Sequence, residues 1–393
     1  MTVLLTALTC ICASLLLFSS IVTILSLIAN PKKPTSATEE RDMALIITAY
    51  KSVDLVPQLL SSIYRSNYSN YHVYVVADDC QDCRDIEENP KLTVLKPATA
   101  LSSKLKSIKY AVTNYVRNHD TSIVLDSDNL VHRDFLAEMN DYRECFKAVQ
   151  GRRVAKNLDT FVASLDEMGE IYHNYVDKYA PYKLGSSSNL SGSGMAFSTS
   201  LLESFLFSEE VEQLMEGVIY GEDKLFANFI VEKGHQIAYH YDALVYDEKL
   251  EKKDQIKRQR IRWFKSYFIN LQTAASLAGV GLLKGRVGSV FFGVVSAFPP
   301  LFLLVLGTGL LTLIAVFFNP WLSLILVGAA ASFVFNFLFV LWLTNAPKPV
   351  WNALVKIPLF MFEQLKAMLV LHRHKGDFLV TQHSKSVNVE EVN

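Results

Sequence analysis

Four clusters of residues in this 393-residue chain are of types that do chemistry. Asp78-Asp79 and Asp126-Ser127-Asp128 each follow a short apolar run, and Gly221-Glu222-Asp223 precedes a helical pattern from Lys224 to Lys233. The fourth, Gln259-Arg260-Ile261-Arg262-Trp263, stands just before a long apolar zone. Carboxylates at strand ends suit Mg2+ or Mn2+, hard cations that take oxygen ligands and usually hold substrate phosphates too. Each cluster also has a plainer reading. An Asp-x-Asp is an ordinary polar turn. An acid at a helix start is a dipole partner or a general base toward a hydroxyl. Arginine clamps a diphosphate bidentately and an indole stacks on a sugar ring, but a basic stretch with a tryptophan also flanks membrane segments.

The elements that must position these clusters alternate along 43–265. Short apolar runs at 44–49, 72–77, 93–95 and 122–125 read as buried strands, and 54–65 and 103–117 as helices. Apolar runs separated by helical patterns predict an α/β fold with a mostly parallel sheet covered on both faces. In such sheets ligands bind beyond the carboxyl ends of the strands, where the first two acidic clusters fall. No internal repeat is evident.

Half of the residues are hydrophobic and mean hydropathy is +0.21, so membrane segments are expected. Val3 to Asn30 carries no charge, long enough for the roughly 20 residues a spanning helix needs. Nothing basic precedes it and Lys32-Lys33 follow, which favours an uncleaved span over a signal peptide and places the bulk of the chain in the cytosol. No charge lies between Arg286 and Lys348, and Asn319-Pro320 splits that zone into a hairpin over 288–318 and 321–344, with a kink expected at Pro299-Pro300. Residues 350–371 are apolar but carry Lys356, Glu363 and Lys366. A third span there would put His372-Arg373-His374-Lys375 outside, so an interfacial helix fits better. Residues 266–283 look similar.

Net charge is -1, which gives no global electrostatic case for nucleic acid. Cys10 and Cys12 read as apolar filler. Cys80 and Cys83 form a lone CxxC with no second pair, so free thiols are expected rather than zinc.

The order of the motifs is more specific than any one of them: strand–DD, lysine, strand–DxD, G-E-D, QxxRW, membrane hairpin. In this order the sequence resembles the membrane-bound family-2 glycosyltransferases, which include cellulose, chitin, hyaluronan and poly-N-acetylglucosamine synthases. The resemblance covers about 45–380. It implies a GT-A-like domain with a nucleobase contact at Asp79, a diphosphate lysine at Lys104, and a donor- and metal-binding pair at Asp126 and Asp128. It also implies an acceptor-lining stretch at Ser191-Gly192-Ser193-Gly194, a catalytic base at Asp223 beside Glu222, and a clamp from Gln259, Arg262 and Trp263. Phe378-Leu379-Val380-Thr381-Gln382-His383 resembles the family's last cytosolic element. Two places depart from the pattern: Thr48-Ala49-Tyr50-Lys51-Ser52 lacks the usual Asn-Glu, though Tyr50 can still stack on the base, and Asp78-Asp79-Cys80-Gln81 lacks the usual glycine.

Taken with the hydropathy and charge pattern, the expected division is an N-terminal transmembrane helix (1–30), a linker (31–42), a cytosolic glycosyltransferase domain (43–265), an interfacial helix (266–285), a transmembrane hairpin (286–345), an interfacial or transmembrane helix (346–375) and a cytosolic tail (376–393). An integral protein of the plasma or inner membrane is implied. The implied reaction is one inverting displacement from a nucleotide-sugar, expected to be UDP-linked, using Mg2+ or Mn2+. The expected acceptor is a growing β-linked polysaccharide. Transfer of one sugar to a membrane lipid or glycan is the alternative, since three spans are few for a channel without a second copy or an export partner. A non-catalytic subunit of an export complex is the remaining alternative.

Overall fold

The computed structural model describes residues 2–31, 34, 36–251, 253–370, 385, 387 and 390. The expectations resting on Lys32-Lys33, on 372–375 and on the 378–383 element fall outside the described residues, as does most of the tail.

Eight strands form one sheet in the order β3-β2-β1-β4-β7-β6-β8-β5. They are β1 (Met43–Tyr50), β2 (Tyr71–Asp78), β3 (Leu92–Leu95), β4 (Thr121–Asp126), β5 (Leu130–Val131), β6 (Ala148–Ala155), β7 (Met195–Ser198) and β8 (Ile237–Asp247). The β1–β2, β2–β3, β1–β4 and β6–β8 pairs are parallel, and β7 and β5 enter antiparallel. The period-2 alternation of side chains feeds two cores. Leu45, Ile47, Val73 and Leu125 pack on one face with Leu59 and Ile63 of α2 (Val56–Tyr64) and Phe135 and Met139 of α4 (Phe135–Cys145). Ile46, Tyr74, Val76 and Val124 pack on the other with Leu105 and Ile108 of α3 (Lys104–Thr113). That second face also holds Phe205 of α7 (Thr199–Leu206) and Phe226 of α9 (Glu222–Glu232). Each such side chain contributes about 1.5–3 kcal/mol when fully buried.

β1 has β2 on one side and β4 on the other. The strand order therefore reverses there, and the carboxyl edge at Tyr50 and Asp126 opens a crevice. A bulge between Gly151 and Arg152 re-registers β6 so that Ala155 pairs with Asp247. Only glycine fits at 151, because a Cβ would stand 2.7 Å from Met139 Cε and 2.8 Å from the Ala243 carbonyl.

The segment after β6 is helical. α5 (Phe161–His173) runs into a π-helical turn, Asn174–Tyr179, and then α6 (Ala180–Lys183). α8 (Glu209–Leu214) precedes the α9 entry.

Among the described residues three helices are long and apolar enough to cross a membrane: α1 (Thr2–Ile28), α12 (Leu301–Phe318) and α13 (Pro320–Leu343). α1 lies on α13, where the Ser20 and Ser332 hydroxyls meet at 3.0 Å, and reaches the π turn, where Ser26 Oγ meets Tyr175 OH at 3.0 Å. The first leg of the hairpin differs from the expected kinked helix over 288–318. It is two helices, α11 (Val287–Ser296) and α12, separated at Pro299-Pro300, because two successive prolines remove two backbone donors and clash with the preceding turn. Asn319 caps α13 by accepting from Trp321 N at 3.2 Å.

The expected interfacial helix at 266–285 is the second half of a longer one, α10 (Lys253–Leu283), which starts before the Gln259–Trp263 cluster. After the hairpin come α14 (Lys348–Ala353), a 3-10 turn and α15 (Ile357–Leu369). With 13 residues, α15 is about 20 Å long, short of the ~30 Å hydrocarbon core.

Candidate active site

β4 ends in Asp126 at the crevice, and the turn behind it is tied down by buried amides. Asp126 N donates to Asn129 Oδ1 at 3.0 Å and to Ser193 Oγ at 3.2 Å, and Ser193 Oγ itself donates to Asn129 Oδ1. Gln150, wholly buried on β6, donates through Nε2 to the Ser193 carbonyl at 2.9 Å and accepts from Ser191 N at 2.8 Å. The 191–194 loop is thereby stitched to the Asp126-Ser127-Asp128 turn. Gly192 has φ +82°, and a Cβ there would stand 3.7 Å from Lys104 Nζ and 4.0 Å from Asp223 Oδ2. Glycine keeps that approach open.

Lys104, the first residue of α3, sits at the centre. Its ammonium pairs with Asp126 and donates to the Gly192 carbonyl at 2.8 Å. Burial pushes its pKa down, but Asp126, Glu222 and Asp223 more than offset this and hold it above the usual lysine value. Gly221 (φ +76°) turns the chain into α9 directly against α10, since a Cβ there would overlap Ser266 Oγ. This delivers Glu222 and Asp223 to the first turn of α9. Burial, and then the Asp223 charge, raise the Glu222 carboxyl; Lys104 and Arg262 oppose this.

The α10 cluster supplies the outer wall. Arg260 pairs with Asp166 of α5 and lies over the rings of Trp263 (4.3 Å) and Phe360 (5.3 Å). Gln259 Oε1 is a buried acceptor with no partner among the described residues.

One cavity of about 1830 Å3 joins these groups. Tyr50, Lys104, Asp126 and Asp128 line it from the sheet, and Glu222, Asp223, Gln259, Arg262 and Trp263 from the helices. Three expected residues are not in its wall. Asp79 is exposed with φ +55°. Asp78, the last residue of β2, lines the cavity instead and accepts from Leu101 N (2.7 Å) and Ser102 N (2.8 Å). Ser193 and Gly194 lie behind the wall that Ser191 and Gly192 form. Gly194 is needed for packing, because a Cβ would come within 2.8 Å of Val245.

Asn129, Gln150 and a second ionic cluster went unnoticed in the sequence. Lys249 Nζ lies 3.3 Å from Glu167, 3.7 Å from Glu170 and 3.4 Å from Asp247. Asp247 pairs with Arg153, and Lys178 with Glu170 at 3.2 Å. All of these side chains are largely buried. The run Asp247-Glu248-Lys249-Leu250-Glu251 reads as an exposed charged stretch, and no local pattern reveals that its partners lie on β6 and α5.

Among the described residues there is no group of three or more His, Cys, Asp or Glu arranged to hold a metal. Asp126 and Asp128 offer two carboxylates at one strand end. That donor set fits a hard cation whose remaining sites are filled by phosphate and water. In keeping with this, the Asp126 carboxylate already faces a cation, the Lys104 ammonium.

The mixed α/β sheet, with acidic residues gathered at the carboxyl edge of β4, is GT-A-like. The chain belongs to glycosyltransferase-like family 2, whose profile matches residues 41–266. No curated protein matches it in sequence. Among solved structures it is similar to the mannosyltransferase PcManGT from Pyrobaculum calidifontis, in complex with GDP-Man and Mn2+, with TM-score 0.58 and 17% identity over 94% of this chain and 99% of that one. Residues 1–349 of S. aureus TarS give TM-score 0.40 and 14% identity over 60% of this chain and 65% of that one. At these identities the PcManGT likeness speaks for the fold. The chain is therefore a glycosyltransferase of the family-2 type.

Proposed function

We propose that the cavity at the β4 edge catalyses a metal-dependent, inverting transfer to an acceptor hydroxyl at the cytosolic face of the membrane. One observation carries this reading. Asp126 at a strand end and Glu222-Asp223 at a helix start, far apart in sequence, surround one lysine inside one cleft. In the reaction the hydroxyl oxygen bonds to the anomeric carbon while the bond from that carbon to the diphosphate oxygen breaks. The leaving diphosphate keeps the electron pair, and one displacement inverts the anomeric centre.

Asp223 takes the hydroxyl proton. Burial and the Asp223 charge raise the Glu222 carboxyl against Lys104 and Arg262, and Glu222 stands beside the base on the first turn of α9. Lys104 and Arg262 stabilise charge on the departing diphosphate. Asp126 and Asp128 would hold Mg2+ or Mn2+, which when bound neutralises diphosphate charge. Tyr50 and Asp78 form the nucleobase end, and Trp263, braced by Arg260, the acceptor end. UDP-sugars are the expected donors. The GDP-Man and Mn2+ held by PcManGT make that pair the first alternative.

A panel of UDP- and GDP-sugars with Mn2+, Mg2+ or EDTA, read by release of nucleoside diphosphate, tests the reading. Asp223→Asn should bind donor normally yet lose about 10²–10⁴-fold in turnover. Asp128→Asn should also weaken metal-supported donor binding. Near-normal transfer by Asp223→Asn would assign the base elsewhere.

A further inference from the structure

The cavity is larger than a donor requires. Ligand pockets ordinarily enclose about 300–1,000 Å3, and this one encloses about 1830 Å3. The surplus has a direction. Beyond Trp263 and Phe360 the wall continues between the two helices of the apolar hairpin, along Thr308, Gly309 and Thr312 of α12 and Ala330, Ala331 and Val334 of α13. These positions recur at helical spacing, so each helix turns one face to the chamber. At Gly309 a Cβ would meet nothing within 4 Å. The chamber therefore begins at the proposed base and ends among side chains of two helices that are long enough to cross a bilayer.

Its chemistry changes along the way. The cleft end holds Lys104, Asp126, Glu222, Asp223 and Arg262. Of the α12 and α13 residues in its wall only two threonines are polar, and Thr312 Oγ1 is already spent on the Thr308 carbonyl at 2.8 Å. Tyr172 of α5, packed on Phe333 and Phe337, and Ser19 of α1 add polar groups at one side. A glycan passing between α12 and α13 would leave most of its hydroxyls without partners, whereas a hydrocarbon chain would be stabilised there in proportion to the length it buries.

From this we infer that the acceptor is a membrane lipid: its hydrocarbon chain fills the chamber between α12 and α13, and its head-group hydroxyl lies at Asp223. The inference rests on the reading of the cleft as the transfer site. The hydroxyl oxygen joins the anomeric carbon, Asp223 receives the proton, and the products are a glycolipid and a nucleoside diphosphate.

The test uses the full chain in nanodiscs made from the total lipid of the membrane in which it naturally resides. Radiolabelled UDP- and GDP-sugars are supplied with Mn2+ or Mg2+. Label is counted in the chloroform–methanol phase, in water-soluble products and in ethanol-insoluble chains, and nucleoside diphosphate is measured in the same tube. Label in the organic phase is the expected result. Ala330→Trp and Gly309→Phe, which fill the chamber, should lower that label at least tenfold while eluting as monodisperse protein. Trp342→Phe, on the outward, exposed side of α13, should leave it unchanged. Nucleoside diphosphate released with label only in water-soluble or ethanol-insoluble products would overturn the lipid acceptor and leave the donor reading standing. If no donor in the panel is turned over, the transfer reading itself falls, and the acceptor with it.

Discussion

Two buried ionic clusters lie close together in this protein, and they are built differently. Around Lys249, cations and acids alternate: Arg153 faces Asp247, Lys249 faces Asp247, Glu167 and Glu170, and Lys178 faces Glu170. Around Lys104, three acids press on one ammonium and two of them are sequence neighbours. The first cluster ties the end of β8 to β6, α5 and the π turn that α1 reaches. Asp247 is held down to about 2 there, where burial is outweighed by Arg153 and Lys249. The second cluster leaves acids competing for too little positive charge beside a large cavity. Both clusters reach the cavity wall; paired charge there fixes geometry, whereas unbalanced charge awaits a cation, a phosphate or a proton.

Substitutions can break this contrast or sharpen it. Lys249→Met should have the largest effect. It strands buried carboxylates and should cost about 3–5 kcal/mol of stability, read as a large drop in melting temperature or failure to accumulate. Lys104→Met should cost less stability than Lys249→Met, because its partner Asp126 keeps contact with solvent, but should lower transfer about 100-fold, as removal of one charge-stabilising donor does elsewhere. If the two variants behaved alike, the distinction between the clusters would collapse. The smallest effect concerns pH. Glu167 is pushed up to about 7, chiefly by burial against the pull of Lys249. The folded protein thus keeps a proton that the unfolded chain releases near the ordinary glutamate value. Its contribution to stability is full at low pH and is lost as pH rises through about 7. Glu167→Gln should flatten the fall in melting temperature between about pH 4.5 and about pH 7.

Much of the sheet was legible because its signal is local. The apolar run at 44–49 is β1 and that at 122–125 is β4, each extended by a residue or two, and the acid that ends β4 lines the cavity. β7 was not foreseen, since Met195–Ser198 is short and pairs antiparallel with strands far away in the chain. Asp79 matches the family motif in sequence, whereas Asp78 completes the strand and lines the cavity and Asp79 turns out with a positive φ. Asn129 and Gln150 carry no sequence signal at all. Their importance lies in which amides and carbonyls the tertiary fold brings within reach. The membrane hairpin was readable from hydropathy, but the division at Pro299-Pro300 into separate helices depends on how far two prolines bend a helix that other helices must cover.

The continuity of α10 has a mechanical consequence. Its 31 residues form a rod about 46 Å long. Near one end ride Gln259, Arg262 and Trp263, which wall the cleft. Toward the other, Ala274 and Ala278 touch α11 at Gly293 so closely that a Cβ there would stand 2.6 Å from the Ala274 carbonyl. Backbone against backbone leaves no soft side chain to absorb movement. A shift of α11 is therefore carried along one continuous helix to the residues that wall the cleft.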